Sequence, residues 1–265
     1  VFYHPDGTGL NRTAVLDGVT VYGAYADGIA GFRTGGGMYN NNCAPILRNC
    51  TFTDNAASYG GAGVCNTNGA SPEITDCAFT GNTADYGGGV LNNPDSEPVI
   101  TGCTFSDNTV SLWAAGRGYG AAMCNWDVGL ASVIDCTFTG NSAGEHGGAI
   151  HNRDDSSPYD APVDIINCTF TENTAGRDGG AIDTDRSIVT IVNCVFNENE
   201  ADADNNGSGN GGAICQGGAT ITNCTLYGNS ANIGGAIYQD WDCPDITNCI
   251  FWGYMGNTCK TLSLL

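Results

Sequence analysis

The feature that most constrains the fold of this chain is a repeat. Residues 164–182 read DIINCTFTENTAGRDGGAI: an apolar strand, one Asn, a Cys-Thr-Phe strand, a second Asn, then a Gly-Gly-Ala-Ile strand. The Cys-x-Phe-x-x-Asn element recurs as CTFTDN at 50–55, CAFTGN at 77–82, CTFSDN at 103–108 and CTFTGN at 136–141. It continues as CTFTEN at 168–173, CVFNEN at 194–199 and CTLYGN at 224–229, and a last copy, CIFWGY at 249–254, loses its Asn. A unit of this length cannot bury its own apolar face, so self-similarity at such a period calls for a solenoid in which stacking supplies the core.

Within each unit the alternation is that of a strand, with Cys and Phe on one face and Thr or Ala on the other. The residue before each Cys is Asn49, Asp76, Gly102, Asp135, Asn167, Asn193, Asn223 or Asn248. Only Asn, Asp and Gly occur there, and these residues tolerate a left-handed backbone, so a one-residue corner is expected. An apolar residue three before the Cys (Leu47, Ile74, Ile100, Val133, Ile165, Ile191, Ile221, Ile246) closes the preceding strand. A helical period is missing, and Gly and β-branched residues fill the interior positions, which excludes helical repeats. The expected fold is all-β: a right-handed parallel β-helix of about 8 to 9 coils with three short strands per coil. One domain spans 1–265, with an irregular first coil over 1–43, regular repeats over 45–255 and a terminal strand or tail over 256–265.

Identical side chains should then stack. Cys50, Cys77, Cys103, Cys136, Cys168, Cys194, Cys224 and Cys249, 25 to 33 residues apart, form an inward thiol ladder. Phe52, Phe79, Phe105, Phe138, Phe170 and Phe196 fill one corner of the core, with Leu226 substituting before Phe251. The Asn residues at 55, 82, 108, 141, 173, 199 and 229 should bond neighbouring coils through their side-chain amides. Of the 14 Cys, Cys243 with Cys259 is the disulfide candidate that would tie down the last turn.

Phe-x-x-Asn alternating with Gly-Gly-Ala-Ile resembles the repeat pair of the chlamydial polymorphic outer membrane proteins. That resemblance implies a surface-exposed β-helical passenger involved in adhesion. The fuller pattern, ITNCTFTGN with GGAI and ITNCIFWG, is similar to secreted right-handed β-helix repeat proteins of environmental bacteria. It covers about 45–255 and is specific for fold, whereas fold by itself does not fix function.

A net charge of −20 repels nucleic acid and anionic membranes, and no apolar run is long enough to span a bilayer. The chain opens on Val1 with no charged-apolar-small leader, as a mature product would. A bacterial protein, secreted or at the cell surface, is expected, with partners that are further copies of itself or a surface glycan or protein. Both ends of the stack look uncapped, and an open sheet edge is a template for another chain. End-to-end assembly into a fibre or array follows.

Three loops could carry chemistry. Residues 109–119 offer Trp113, Arg117 and Tyr119, a combination suited to a sugar or a protein, with a lid as the bland alternative. Residues 145–186 gather His146, His151, Arg153, Asp154, Asp155, Arg177, Asp178, Asp183, Asp185 and Arg186. His151 and Asp183 follow Gly-Gly-Ala-Ile in consecutive coils and should be neighbours. His151, Arg153, Asp154, Asp155, Asp183 and Asp185 could thus serve acid–base cleavage of a polysaccharide, by lyase or hydrolase chemistry. Weakly coupled surface ion pairs are the alternative. Asp202, Asp204 and Asn206 match the first half of a calcium loop, but Ala213 stands where the bidentate Glu belongs, so Ca2+ as cofactor of a glycan-binding module competes with a plain turn.

Overall fold

The structure is a computed structural model that describes residues 2–7, 9–28, 33–111, 118–155, 162–204, 206–216, 219–239, 244–253 and 255–257. It is a right-handed parallel β-solenoid in which every coil contributes one strand to each sheet. There are four sheets, each nine strands deep and parallel throughout. One coil shows the course of the chain: Met38–Asn41 in the first sheet, Ile46–Arg48 in the second, Thr51–Thr53 in the third and Ala56–Ala57 in the fourth.

The fourth sheet corrects the expected three strands per coil. Its strands are mostly two residues long, as at Thr83–Ala84, Ser142–Ala143 and Thr174–Ala175. Two residues give no alternation from which a strand could be recognised. The first coil is also more regular than expected, because Phe2–His4, Val15–Asp17, Thr20–Tyr22 and Tyr25–Ala26 each pair in parallel with the coil that follows.

Register is kept from coil to coil, except for a shift where Ser230–Ile233 pairs with Met255–Asn257: Phe79 lies beside Phe52 and Phe105, and Ile165 beside Val133 and Ile191. The rings of Phe138 and Phe170 stack with centroids 4.7 Å apart and planes 3° from parallel. The thiols of Cys77, Cys103, Cys168, Cys194, Cys224 and Cys249 each accept from the backbone N–H of the ladder Cys one coil earlier, as for Cys136 and Cys168 at 3.4 Å, and all described cysteines are free thiols. Cys243 and Cys259 lie outside the described residues.

The corner residues adopt the left-handed backbone, with φ of 52° at Asn49, 54° at Asp135 and 56° at Asn167. A second left-handed corner, not anticipated, falls at Asp54, Gly81, Asp107, Gly140, Glu172, Glu198 and Gly228. Replacing Asn167 by Ala should cost about 1 kcal/mol for placing a Cβ-bearing, non-amide residue in that region, read as a lower urea midpoint. Asn167→Gly should stay close to wild type.

Two asparagine ladders run through the interior. In one, the Asn141 side-chain N–H2 donates to Asn173 Oδ1 at 2.9 Å and to the Phe105 carbonyl at 3.0 Å, while its own Oδ1 accepts from the backbone and side chain of Asn108. The same pattern repeats from Asn55 to Asn229. The second ladder, unforeseen, follows the Gly-Gly-Ala-Ile strands: Asn40 donates to Asn66, Asn66 to Asn92, Asn92 to Asn125 and Asn125 to Asn152, at 2.8 to 2.9 Å. Its signal is in plain view, since Asn stands two places after the Met, Val or Ile that ends the Gly-rich motif in all five coils. Beyond Asn152 the position becomes Thr184, Gln216 and Gln239, whose buried polar side-chain atoms find no hydrogen-bond partner.

Candidate functional site

The outer face of the first sheet carries two adjacent columns. In one, Tyr39, Cys65, Leu91, Cys124, His151, Asp183, Cys215 and Tyr238 pair in sequence. In the other, Gly60, Tyr86, Tyr119, His146 and Asp178 are linked by single parallel bridges. Cys65, Tyr86, Leu91 and Cys124 form an apolar cluster against which Tyr39, Tyr59, Tyr119 and Trp126 pack. Burial there pushes the Cys65 and Cys124 thiols up to about 12.

One coil further on, both columns turn ionisable. His151 Nδ1 lies 2.9 Å from Asp183 Oδ2, and the two residues are only 3% and 6% exposed. A carboxylate can only accept, so that imidazole N–H donates; His151 Nε2 is then a buried nitrogen without a partner. His146 Nδ1 faces Asp178 Oδ2 at 3.4 Å and Asp183 Oδ2 at 3.7 Å. The Tyr119 ring stacks on His151 at 4.9 Å and tilts over His146 at 5.3 Å.

The sequence-derived candidates therefore separate into two groups. His151 and Asp183 join the buried chain, together with His146, Asp178 and Tyr119. Arg153, Asp155, Asp185 and Arg186 instead form a half-exposed lattice: Asp155 is 2.9 Å from Arg153 Nε and 3.1 Å from Arg186 Nη1, and Asp185 lies within 3.6 Å of both arginines. The adjacent guanidinium groups hold the Asp155 carboxyl below the usual range. Arg153 also sits over the Trp126 ring at 5.2 Å. Asp154 is fully buried, and its backbone N–H donates to the Asp185 carbonyl.

Tyr119, grouped by sequence with Trp113 and Arg117, which lie outside the described residues, packs between Tyr86 and the two histidines. No local pattern could have shown this, because it depends on which residue bridges to the next coil. Asn210 was missed as well: its backbone and side-chain N–H groups donate to Asp178 Oδ1 at 3.1 and 2.8 Å.

Burial and the neighbouring Asp183 push the Asp178 carboxyl above the usual range, with His146 opposing. A carboxyl raised on folding contributes stability fully below the unfolded value, near pH 4, and loses it as pH rises through the folded one. The stability of wild type relative to Asp178→Asn should therefore fall as pH increases above about 4. Urea midpoints across that range check the sign, and parallel curves would refute it.

At the calcium candidate, Asp202 accepts the Gly207 N–H at 2.9 Å, and Asp204 accepts the backbone and side-chain N–H groups of Asn206 at 3.2 and 2.7 Å. These carboxylates close their own loop. Among the described residues no three His, Cys, Asp or Glu side chains group as metal ligands would.

The family described as Chlamydia polymorphic membrane protein repeat matches residues 167–185, which contain the Phe-x-x-Asn and Gly-Gly-Ala-Ile elements of one coil. No curated protein and no solved structure gives a significant match to the chain. The family described as right handed beta helix region matches residues 8–170, more than half of the chain. With four parallel sheets in unbroken register beneath that match, the chain belongs to the right-handed β-helix family.

Proposed function

We propose that the chain is an extracellular structural or adhesive β-helix, comparable to the passenger of an autotransporter, and that copies stack end to end into a surface fibre or array. The observation behind this reading is the coincidence of a polymorphic membrane protein repeat with a scaffold whose four strands recur in every coil. Loops and the outer columns vary, and there a solenoid carries its contacts.

Stacking would use the outermost strands of each sheet. At one end these are Phe2–His4, Val15–Asp17, Thr20–Tyr22 and Tyr25–Ala26; at the other they are Ile237–Gln239, Asp245–Thr247, Ile250–Trp252 and Met255–Asn257. Tyr22, Tyr25, Ile250 and Trp252 are 64 to 78% exposed, an apolar supplement to the unpaired backbone groups. Sedimentation over a wide concentration range, with electron microscopy of the same samples, should show rods that lengthen with concentration. Isolated monomers at every concentration would refute the stacking. Protease shaving of intact producing cells tests the location separately.

A glycan-cleaving reading has one observation in its favour, the His151–Asp183 pair at 2.9 Å. Burial of both side chains favours the structural reading. Loss of glycan depolymerisation in Asp183→Asn would reverse that preference.

A further inference from the structure

Three coils meet at His146. Its carbonyl accepts the Gly120 N–H of the preceding coil at 2.9 Å, and Gly147 N–H donates to the Asp178 carbonyl of the following coil at 2.9 Å. Asp178 is in turn held by Asn210, one coil further. A change in the charge of this one side chain is therefore felt by backbone on both sides of it.

The surroundings of His146 are acidic on three sides. Asp178 and Asp183 present Oδ2 atoms at 3.4 and 3.7 Å from Nδ1, and Glu145 Oε2 is 3.9 Å from Nε2. From the preceding coil Tyr119 covers the ring, and from its own coil His151 lies 6.1 Å away, centroid to centroid. Cys124 and Cys215 flank the His151–Asp183 pair in register, and burial pushes the Cys124 thiol up. Of the cations nearby, Arg177, half exposed, shares Asp178 Oδ2 with His146 at 3.8 Å, and Arg153 is paired with Asp155 and Asp185.

The two histidines are not equivalent. A second proton on His151 would create a buried N–H at Nε2 with no acceptor. A second proton on His146 would create a cation between two carboxylates, at a Nδ1 that otherwise makes no hydrogen bond. Without it, Asp178 and Asp183 face each other across a neutral ring in a site only 9% and 6% exposed.

We propose that His146 is a proton-operated catch: charged, it fastens the corner at 145–147 to Asp178 and Asp183 of the next coil, and neutral, it releases that corner and the 118–120 backbone bonded to it. Histidine charge changes within the range between mildly acidic and neutral surroundings, so the outer patch beside Tyr119 tightens in acid and loosens as pH rises. This holds whether or not the chain stacks into fibres.

Hydrogen exchange of the intact chain, corrected for the intrinsic pH dependence of exchange, tests it. Peptides over 118–123 and 145–151 should lose protection by about tenfold or more between pH 5.5 and 8, while peptides over 46–67 stay unchanged. In His146→Gln the response should vanish. Unchanged protection in wild type, or the same response in His146→Gln, would overturn the proposal. Should that variant fail to fold, NMR of wild type decides: the Gly120 and Gly147 amides must titrate with the His146 ring, and amides that move without it refute the catch.

Discussion

Gly148→Ala is expected to destabilise the stack by about 1–3 kcal/mol, although Ala62 and Ala121 hold the same place in their own coils. A Cβ at this position would fall on the Gly180 carbonyl oxygen of the next coil and 2.6 Å from the carbonyl oxygen of Thr174. Both obstacles are backbone, and Gly148 N–H already donates to the Gly179 carbonyl at 3.0 Å, so the coils cannot separate without losing ladder bonds. Urea denaturation followed by far-ultraviolet circular dichroism should show the loss. Gly207→Ala is the contrast: its φ is +79° but nothing lies within 4 Å, so strain of about 1 kcal/mol is all that is expected. A Gly148→Ala protein with a wild-type urea midpoint would show that the coils are not held at this spacing.

Asn141→Ala should cost roughly 3–5 kcal/mol, because it strands several buried groups together. The backbone and side-chain N–H groups of Asn108 lose their common acceptor, and the Phe105 carbonyl and Asn173 Oδ1 each lose a donor. Asn152→Ala should cost much less. Asn152 ends the other ladder with its side-chain nitrogen already unpartnered, so only the bond from Asn125 is lost. Chemical denaturation of the two variants side by side measures the difference, and equal losses would mean that the ladders are not cooperative.

The parts of this fold that were legible in the sequence are those that stacking repeats. Phe138 recurs because Phe105 and Phe170 lie directly above and below it, and Asn167 is Asn, Asp or Gly in other coils because φ is positive there. The two-residue strands were not legible, since Ser142–Ala143 is too short to alternate and is defined by its partners Thr109–Val110 and Thr174–Ala175. The same distinction runs through the candidate site. His151 and Asp183 hold one repeat position, so their contact followed from counting. Tyr119, His146 and Asp178 precede their Gly-Gly or Gly-Ala pairs at the end of loops of unequal length. Their alignment is decided by where each loop rejoins the stack. Arg153 and Asp155 are two residues apart in the chain, but their mutual neutralisation with Arg186 depends on side-chain reach, which spacing does not encode.

The register kept between coils has a bearing on how such a chain can change length. Because the upper and lower surfaces of each coil match, duplication or deletion of one whole turn, from one ladder Cys to the next, would leave every ladder closed. Removal of a single residue inside a Thr-Phe-Thr strand would instead turn Phe outward and its neighbours inward. Unequal recombination between the near-identical CTF segments is therefore a tolerated change where point insertion is not, and the length of the rod is adjustable in units of one turn.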